Sequence, residues 1–183
     1  MRVVFLDRDG VINRFPGIGR YVTTLKQLHV LPGARKGIRL LTRAGFKLHV
    51  ISNQGCVAHG FITKADLARF TRILNSDIRK AGGKLHKFHY CLHRSADNCA
   101  CKKPKTLLMK RALKGSRVRP ADTFFVGDSD VDMLAGKHFG SRTVLVLTGR
   151  TKKGGVKSLP VKPDAVKKNL YEAAKWILKQ KRS

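Results

Sequence analysis

The sequence predicts a Rossmann-like α/β fold of three layers, a parallel sheet with helices on both faces. Three observations predict it. Short apolar runs rich in Val, Ile and Phe alternate with longer segments of helical periodicity, the pattern of strand–helix–strand crossovers. The polar residues able to do chemistry stand where those runs stop, and parallel sheets bind ligands outside the carboxyl ends of their strands. Length is the third: 183 residues suffice for one domain with a substantial core, which makes 1–183 a single unit.

The first strand is Arg2–Leu6, where Val3-Val4-Phe5-Leu6 is apolar enough for a buried position. It runs directly into Asp7-Arg8-Asp9-Gly10. Carboxylates at the end of a core strand are expensive to bury, so they point to a metal ion or to acid/base work. Gly10 lets the backbone turn tightly and approach a ligand. Such a pair suits phosphoryl transfer to aspartate, in which one carboxylate attacks phosphorus and a neighbour handles the leaving group's proton. A strand followed by an ordinary Asp-Gly turn is the plainer alternative. The next segment, Arg14–Leu31 with Phe15-Pro16-Gly17-Ile18-Gly19, reads as a short flap over that strand end, or else as a plain connection.

Helical periodicity covers Ala34–Ala44, and the second strand is Lys47–Ser52. It ends in Ser52-Asn53-Gln54, a hydroxyl and two amides suited to phosphoryl oxygens, although serine is also a common strand-end cap. Cys56 reads as a buried or half-buried thiol. A helix over Lys64–Ala81 and a strand over Lys87–Cys91 follow. From there Cys91, His93, Cys99 and Cys101 offer three thiolates and one imidazole, which fit a closed tetrahedral zinc site of structural type; reduced free thiols are the alternative. A disulfide reading is weak, because Cys99 and Cys101 are too close to pair and Cys56 would be left over. The segment Leu92–Ala100 is polar, so metal binding supplies the ordering energy that burial cannot. It ends at Lys102-Lys103-Pro104, so the loop is expected to hold Lys103 at the mouth of the site, against the plainer reading of a solvated charge. Pro104 can begin the helix Thr106–Leu113.

The strand Thr123–Gly127 repeats the opening pattern, delivering Asp128, Asp130 and Asp132 at its end. Of eleven acidic residues, five (Asp7, Asp9, Asp128, Asp130, Asp132) fall in these two clusters. That concentration suggests one divalent-cation site of hard oxygen ligands, suited to magnesium. A helix over Val131–Phe139, a strand over Thr143–Val146 and an amphipathic helix from Ala165 to Lys179 complete the map.

In order, Asp-x-Asp-Gly, a strand-end Ser, Lys-Pro and Gly-Asp-x-x-x-Asp resemble the four motifs of the haloacid dehalogenase (HAD) superfamily of phosphohydrolases, and the resemblance spans nearly the whole chain. It implies a phosphomonoesterase working through an aspartyl-phosphate. Asp7 would be the nucleophile, Asp9 the general acid/base, and Ser52 and Lys103 the phosphoryl ligands. Magnesium would be held by Asp7, the Asp9 main-chain carbonyl and Asp128, while Asp132 would orient Lys103 or the metal's waters. The zinc loop running into Lys-Lys-Pro resembles the subgroup containing D-glycero-D-manno-heptose 1,7-bisphosphate 7-phosphatase and histidinol-phosphate phosphatase. This implies a sugar bisphosphate as substrate, its remainder gripped by Asn13, Asn53, Gln54, Lys102 and Arg20, with Lys102 and Lys105 suiting a second phosphate. Lys102 stands where that subgroup usually has Arg, and Ser129 where the heptose enzymes commonly have Lys. The short gap between His93 and Cys99 is closer to the histidinol-phosphate pattern, which keeps that substrate as an alternative. No large cap domain fits within the chain, so the site is expected to be open.

Lys and Arg number 39 against 11 acids, a formal net charge of +28, far more than solubility requires. Such a field attracts polyanions. A phosphatase of nucleic-acid 3′ ends, an activity also found in the superfamily, is therefore the second alternative. Against it, the basic residues are spread along the chain and stacking aromatics are few. The plainer reading is a compositional bias on a solvated surface. A non-enzymatic nucleic-acid protein is disfavoured by the presence of both Asp7 and Asp9. No run suits a transmembrane span, and Met1 leads straight into the first strand. The expectation is a cytoplasmic monomer or small homo-oligomer acting on a small phosphorylated metabolite.

Overall fold

Six parallel strands form one sheet in the computed structural model, which describes residues 2–180; Met1, read above as leading directly into the first strand, lies outside them. The strands are β1 (Arg2–Leu6), β2 (Phe46–Asn53), β3 (Lys87–Cys91), β4 (Thr123–Gly127), β5 (Arg142–Val146) and β6 (Ala165–Lys167), in the spatial order β3-β2-β1-β4-β5-β6. The helices are α1 (Ala34–Arg43), α2 (Lys64–Lys80), α3 (Leu107–Leu113), α4 (Asp130–Phe139) and α5 (Leu170–Leu178). From β1 the chain builds outward through β2 and β3, then returns to β4 on the opposite side. The strand order therefore reverses beside β1, and a crevice opens at the carboxyl ends of β1 and β4.

Alternation along the central strands sorts the core into two layers. Val4 and Leu6 of β1 pack with Leu48, Val50, Val126 and the apolar faces of α1, α2 and α5. Val3 and Phe5 point the other way, with Phe125, Leu108, Met109 and Ala135 on the side of α3 and α4. Both faces of the sheet are thus covered, as a parallel sheet with near-continuous apolar strands requires.

One element departs from expectation. Residues 165–167, read as the start of the last helix, form β6, with Val166 paired to Leu145 of β5. The helix starts only at Leu170, where the Asn169 side chain accepts a hydrogen bond from the Glu172 N–H at 3.1 Å. The apolar spacing extends N-terminal of that cap, but the edge of β5 offers backbone partners, and the cap residue fixes where the helix begins. The remaining elements lie within a residue or two of their expected bounds.

On β2, His49 is 5% exposed and its Nδ1 lies 3.2 Å from Nε2 of His89. Burial lowers its pKa from 6.5 to about 4, and His89, His86, Lys47 and Lys87 add repulsion against a charged ring. A folded-state pKa below the unfolded one means full stability above pH 6.5, lost progressively as pH falls towards 4. We expect a loss on the order of 3 kcal/mol by pH 4 from this group. Urea midpoints from pH 7.5 to 4 should converge between the native protein and His49→Gln as pH falls; parallel curves would remove His49 from acid sensitivity.

Candidate active site

The carboxylates converge at the crevice. Asp7 follows β1, its N–H bonded to the Val126 carbonyl of β4 at 3.0 Å, and is 8% exposed. Asp128 follows β4 and is 3% exposed; Asp132, in the first turn of α4, is 1% exposed. Carboxylate oxygens of these three lie within 4.8 Å of one another. Asp130, counted with them from the sequence, instead starts α4 and does not line the cleft.

Lys103 sits among them. Its Nζ is 2.6 Å from Asp132 Oδ1 and 2.9 Å from Asp7 Oδ1, with the lysine only 5% exposed. Burial opposes the ammonium, but Asp132 and Asp7 outweigh it and raise the lysine's pKa, so it stays charged. Asp132 is further held by the Ser129 hydroxyl at 2.7 Å and the Asp128 N–H at 3.2 Å. Burial pushes the Asp7 carboxyl up to about 6, against the pull of Lys103 and with the added repulsion of Asp132 and Asp9. Asp128 is raised as well, by burial, Asp132 and Asp7, although the Arg150 N–H donates to its Oδ2 at 2.6 Å.

This set fits a hard divalent cation. Its donors are all oxygen, and the three buried carboxylates carry more negative charge than the one Lys103 ammonium among them neutralises. Glycines keep carbon away from Asp128, because a Cβ at Gly10 or Gly149 would collide with its carboxylate. Gly10 also needs its φ of +89° for the turn that brings Asp9 back beside Asn13.

Asp9 is held differently. Arg8, 1% exposed, grips it through Nε at 3.1 Å and Nη2 at 3.0 Å. Asn13 Nδ2 donates to Oδ1 at 2.7 Å and Gln54 Nε2 to Oδ2 at 2.9 Å. Asn13 and Gln54, expected to grip substrate, are therefore buried behind Asp9 and absent from the cleft lining. Ser52 does line the cleft, accepting from Gln54 Nε2 at 3.1 Å. Asn53 lines it too, but its amide is engaged with the main chain of Lys103, accepting from N at 3.0 Å and donating to O at 3.2 Å.

The remaining walls of this cleft of about 230 Å³ come from the flap, where residues Phe15 to Tyr21 line it, and from Lys102 and Arg150. The flap is closed at its base, with Arg14 N–H on the His29 carbonyl at 2.8 Å and Leu31 N–H on that of Ile12 at 2.9 Å. Lys105, expected near a second phosphate, is instead bonded to the Asn98 side chain and the Cys99 carbonyl at 2.9 and 2.8 Å, away from the cleft.

Beside this cleft, Cys91, His93, Cys99 and Cys101 form a second cluster able to hold a metal. Neighbouring ligand atoms lie 3.3 to 3.7 Å apart. Those are the edges of a tetrahedron around an ion with metal–sulfur bonds of about 2.3 Å. Cys56 is buried elsewhere, under the flap.

Known proteins resemble this chain over most of its length. A D-glycero-β-D-manno-heptose-1,7-bisphosphate 7-phosphatase of Pseudomonas putida is 32% identical over 87% of this chain and 90% of its own length. One from Helicobacter pylori is 32% identical over 96% of this chain and 97% of its own. The chain belongs to this family of HAD-like phosphatases. A HAD-hydrolase-like family model matches residues 100–173. The D,D-heptose 1,7-bisphosphate phosphatase of B. bronchiseptica, solved with magnesium and phosphate, superposes with a TM-score of 0.89 at 28% identity, covering 97% of this chain and 98% of that one. The enzyme is thus a phosphatase, and among its described residues no helix is long and apolar enough to cross a membrane.

Two contributors to this phosphatase's site escaped the sequence reading. Arg8 stands in full view between Asp7 and Asp9, and an arginine inside a buried strand end is itself a signal, since such a cation demands a carboxylate partner. Arg150 follows β5 in Thr148-Gly149-Arg150, where the Thr148 hydroxyl donates to the Gly10 carbonyl at 2.6 Å. The glycine at a strand end was the available cue.

Proposed function

We propose that the chain is a magnesium-dependent phosphomonoesterase that removes one phosphate from a sugar bisphosphate of the D-glycero-D-manno-heptose 1,7-bisphosphate type. The observation that carries this is the buried Lys103 ammonium shared by Asp7 and Asp132 at the mouth of an open cleft. The named activity of relatives aligned over most of their length supports the substrate.

In this reading Asp7 attacks phosphorus in line, displacing the sugar oxygen and forming an aspartyl-phosphate. Lys103, fixed by Asp132, neutralises the phosphoryl oxygens together with the Ser52 hydroxyl. Magnesium, held by Asp7, Asp128 and the Asp9 main-chain carbonyl, would supply further positive charge for those oxygens. Asp9 gives its proton to the departing alkoxide and then takes one from the water that hydrolyses the acyl phosphate. Arg8, Asn13 and Gln54 act by aiming Asp9, and Asn53 by fixing the main chain of Lys103. Lys102 and Arg150 are placed for the remainder of the substrate.

Zinc at Cys91, His93, Cys99 and Cys101 would be structural, since four protein ligands leave no open position. Three thiolates kept reduced suit a cytoplasmic location. Residues 1–183 act as one catalytic domain.

The test is phosphate release, with magnesium at near-physiological salt, from heptose 1,7-bisphosphate, histidinol phosphate and 3′-phosphorylated oligonucleotides. The bisphosphate should show the highest kcat/KM, with activity lost in mild EDTA and restored by magnesium. Elemental analysis of the same preparation should find about one zinc per chain. Higher efficiency on histidinol phosphate or on nucleic-acid ends would overturn the substrate assignment, and full activity without magnesium would overturn the metal's role.

A further inference from the structure

A groove of about 630 Å³ lies between α2 and β3 and shares no residue with the catalytic cleft. Its floor is apolar. Leu67 of α2 clusters with Tyr90 and Leu92, and the Phe88 ring lies 6.0 Å from that of Tyr90. Phe88, Tyr90 and Leu92 alternate along the chain and so face one side of the sheet, each only half-buried. The floor hydroxyls are engaged with each other and the helix, Thr71 donating to the Leu67 carbonyl at 2.7 Å and lying 2.8 Å from the Tyr90 hydroxyl. β3 is the edge of the sheet, paired only with β2, so no further strand shelters these rings. A continuous apolar surface of this kind marks a binding face.

The rim is basic. Lys64, Arg72 and Arg79 line the groove about two helical turns apart on one face of α2, and no carboxylate lines it. None of the three is in an ion pair among the described residues. The acids of α2 are committed elsewhere: Asp66 forms the helix cap with Thr63, and Asp77 is held by Arg35 of α1 at 2.8 Å. From Lys64 to Arg79 the lined face runs about 22 Å, at 1.5 Å per residue. That length suits an elongated occupant better than a compact metabolite.

We propose that this groove seats an acidic amphipathic helix of a partner protein. Its apolar stripe would lie on Leu67, Phe88, Tyr90 and Leu92, and acids about two turns apart would meet Lys64, Arg72 and Arg79. The chain cannot supply that helix itself. Among the described residues, α1 and α3 carry no acid, α5 only Glu172, and α4 only Asp130 and Asp132 in its first turn. Two copies docked groove to groove would set like charges against each other. The partner is therefore a different, acidic protein.

Fluorescence anisotropy with the full chain at near-physiological salt tests this. The probe is a labelled synthetic peptide of about 16 residues, with leucine at the a and d heptad positions and glutamate flanking them. A scramble of the same composition and charge is the control. The patterned peptide should bind about tenfold more tightly than the scramble. Arg72→Glu with Arg79→Glu should weaken it about tenfold, whereas Lys110→Glu with Lys114→Glu, the same change of charge at exposed positions on α3 and its end, should not. Ala68→Arg separates packing from charge. This exposed residue lines the groove, so the substitution adds a cation yet obstructs the seat, and binding should fall about tenfold. Equal binding of the two peptides, tighter binding by Ala68→Arg, or equal loss in the α3 control would reduce the groove to general charge and overturn the proposal. So would sedimentation showing a dimer of the free protein that Ala68→Arg dissolves, since the face would then belong to a second copy.

Discussion

Asp7→Asn should lower turnover by about four orders of magnitude while leaving the fold in place. The amide keeps the shape of the carboxylate but cannot attack phosphorus, so the covalent route closes. Stability should hold, because the substitution removes one of three crowded buried carboxylates and leaves Lys103 its 2.6 Å contact with Asp132. The check pairs single-turnover phosphate release with a urea melt. Retention of a tenth of native activity would sink the aspartyl-phosphate mechanism; a collapsed melt with lost activity would make Asp7 structural instead. Asp9→Asn should be severely impaired as well, since both proton transfers pass through that carboxylate.

How far the sequence carried this site is best seen strand by strand. Asp7, Asp128 and Lys103 were legible because each ends an apolar run or an unusual loop, and topology then brings strand ends together without further information. The convergence of Cys91, His93, Cys99 and Cys101 was legible from ligand type and spacing alone. Orientation was not. Asn13, in the turn beyond β1, and Gln54, just after β2, are amides as suited to phosphate as to carboxylate, and only the turn at Gly10 and the buried Arg8 commit them to Asp9. Lys105 likewise follows Lys103 by two residues, yet the turn at Pro104 sends it back to Asn98 and Cys99 of the Cys/His loop. The missed strand β6 has a similar cause. Three residues cannot display a period of their own, and their pairing is decided by the free edge of β5 rather than by local propensity.

Lys103 is where mechanism and stability can be separated. Its ammonium is the closest positive charge to Asp7 and Asp132, both nearly buried. Lys103→Met keeps the aliphatic stem but strands two carboxylates without their partner, which should cost about 3–5 kcal/mol of stability. Turnover should fall about a thousandfold, because a preorganised cation facing the phosphoryl oxygens acts where charge develops and water is scarce. Adding Asp132→Asn should then restore much of the lost stability, since a neutral amide still accepts from the Ser129 hydroxyl. It should not restore turnover, since no cation returns to the phosphate. Urea midpoints and kcat/KM measured on both variants read the two effects independently. Recovery of activity in the double variant would show that Lys103 serves only to neutralise Asp132, and a single variant within tenfold of native turnover would remove it from the chemistry.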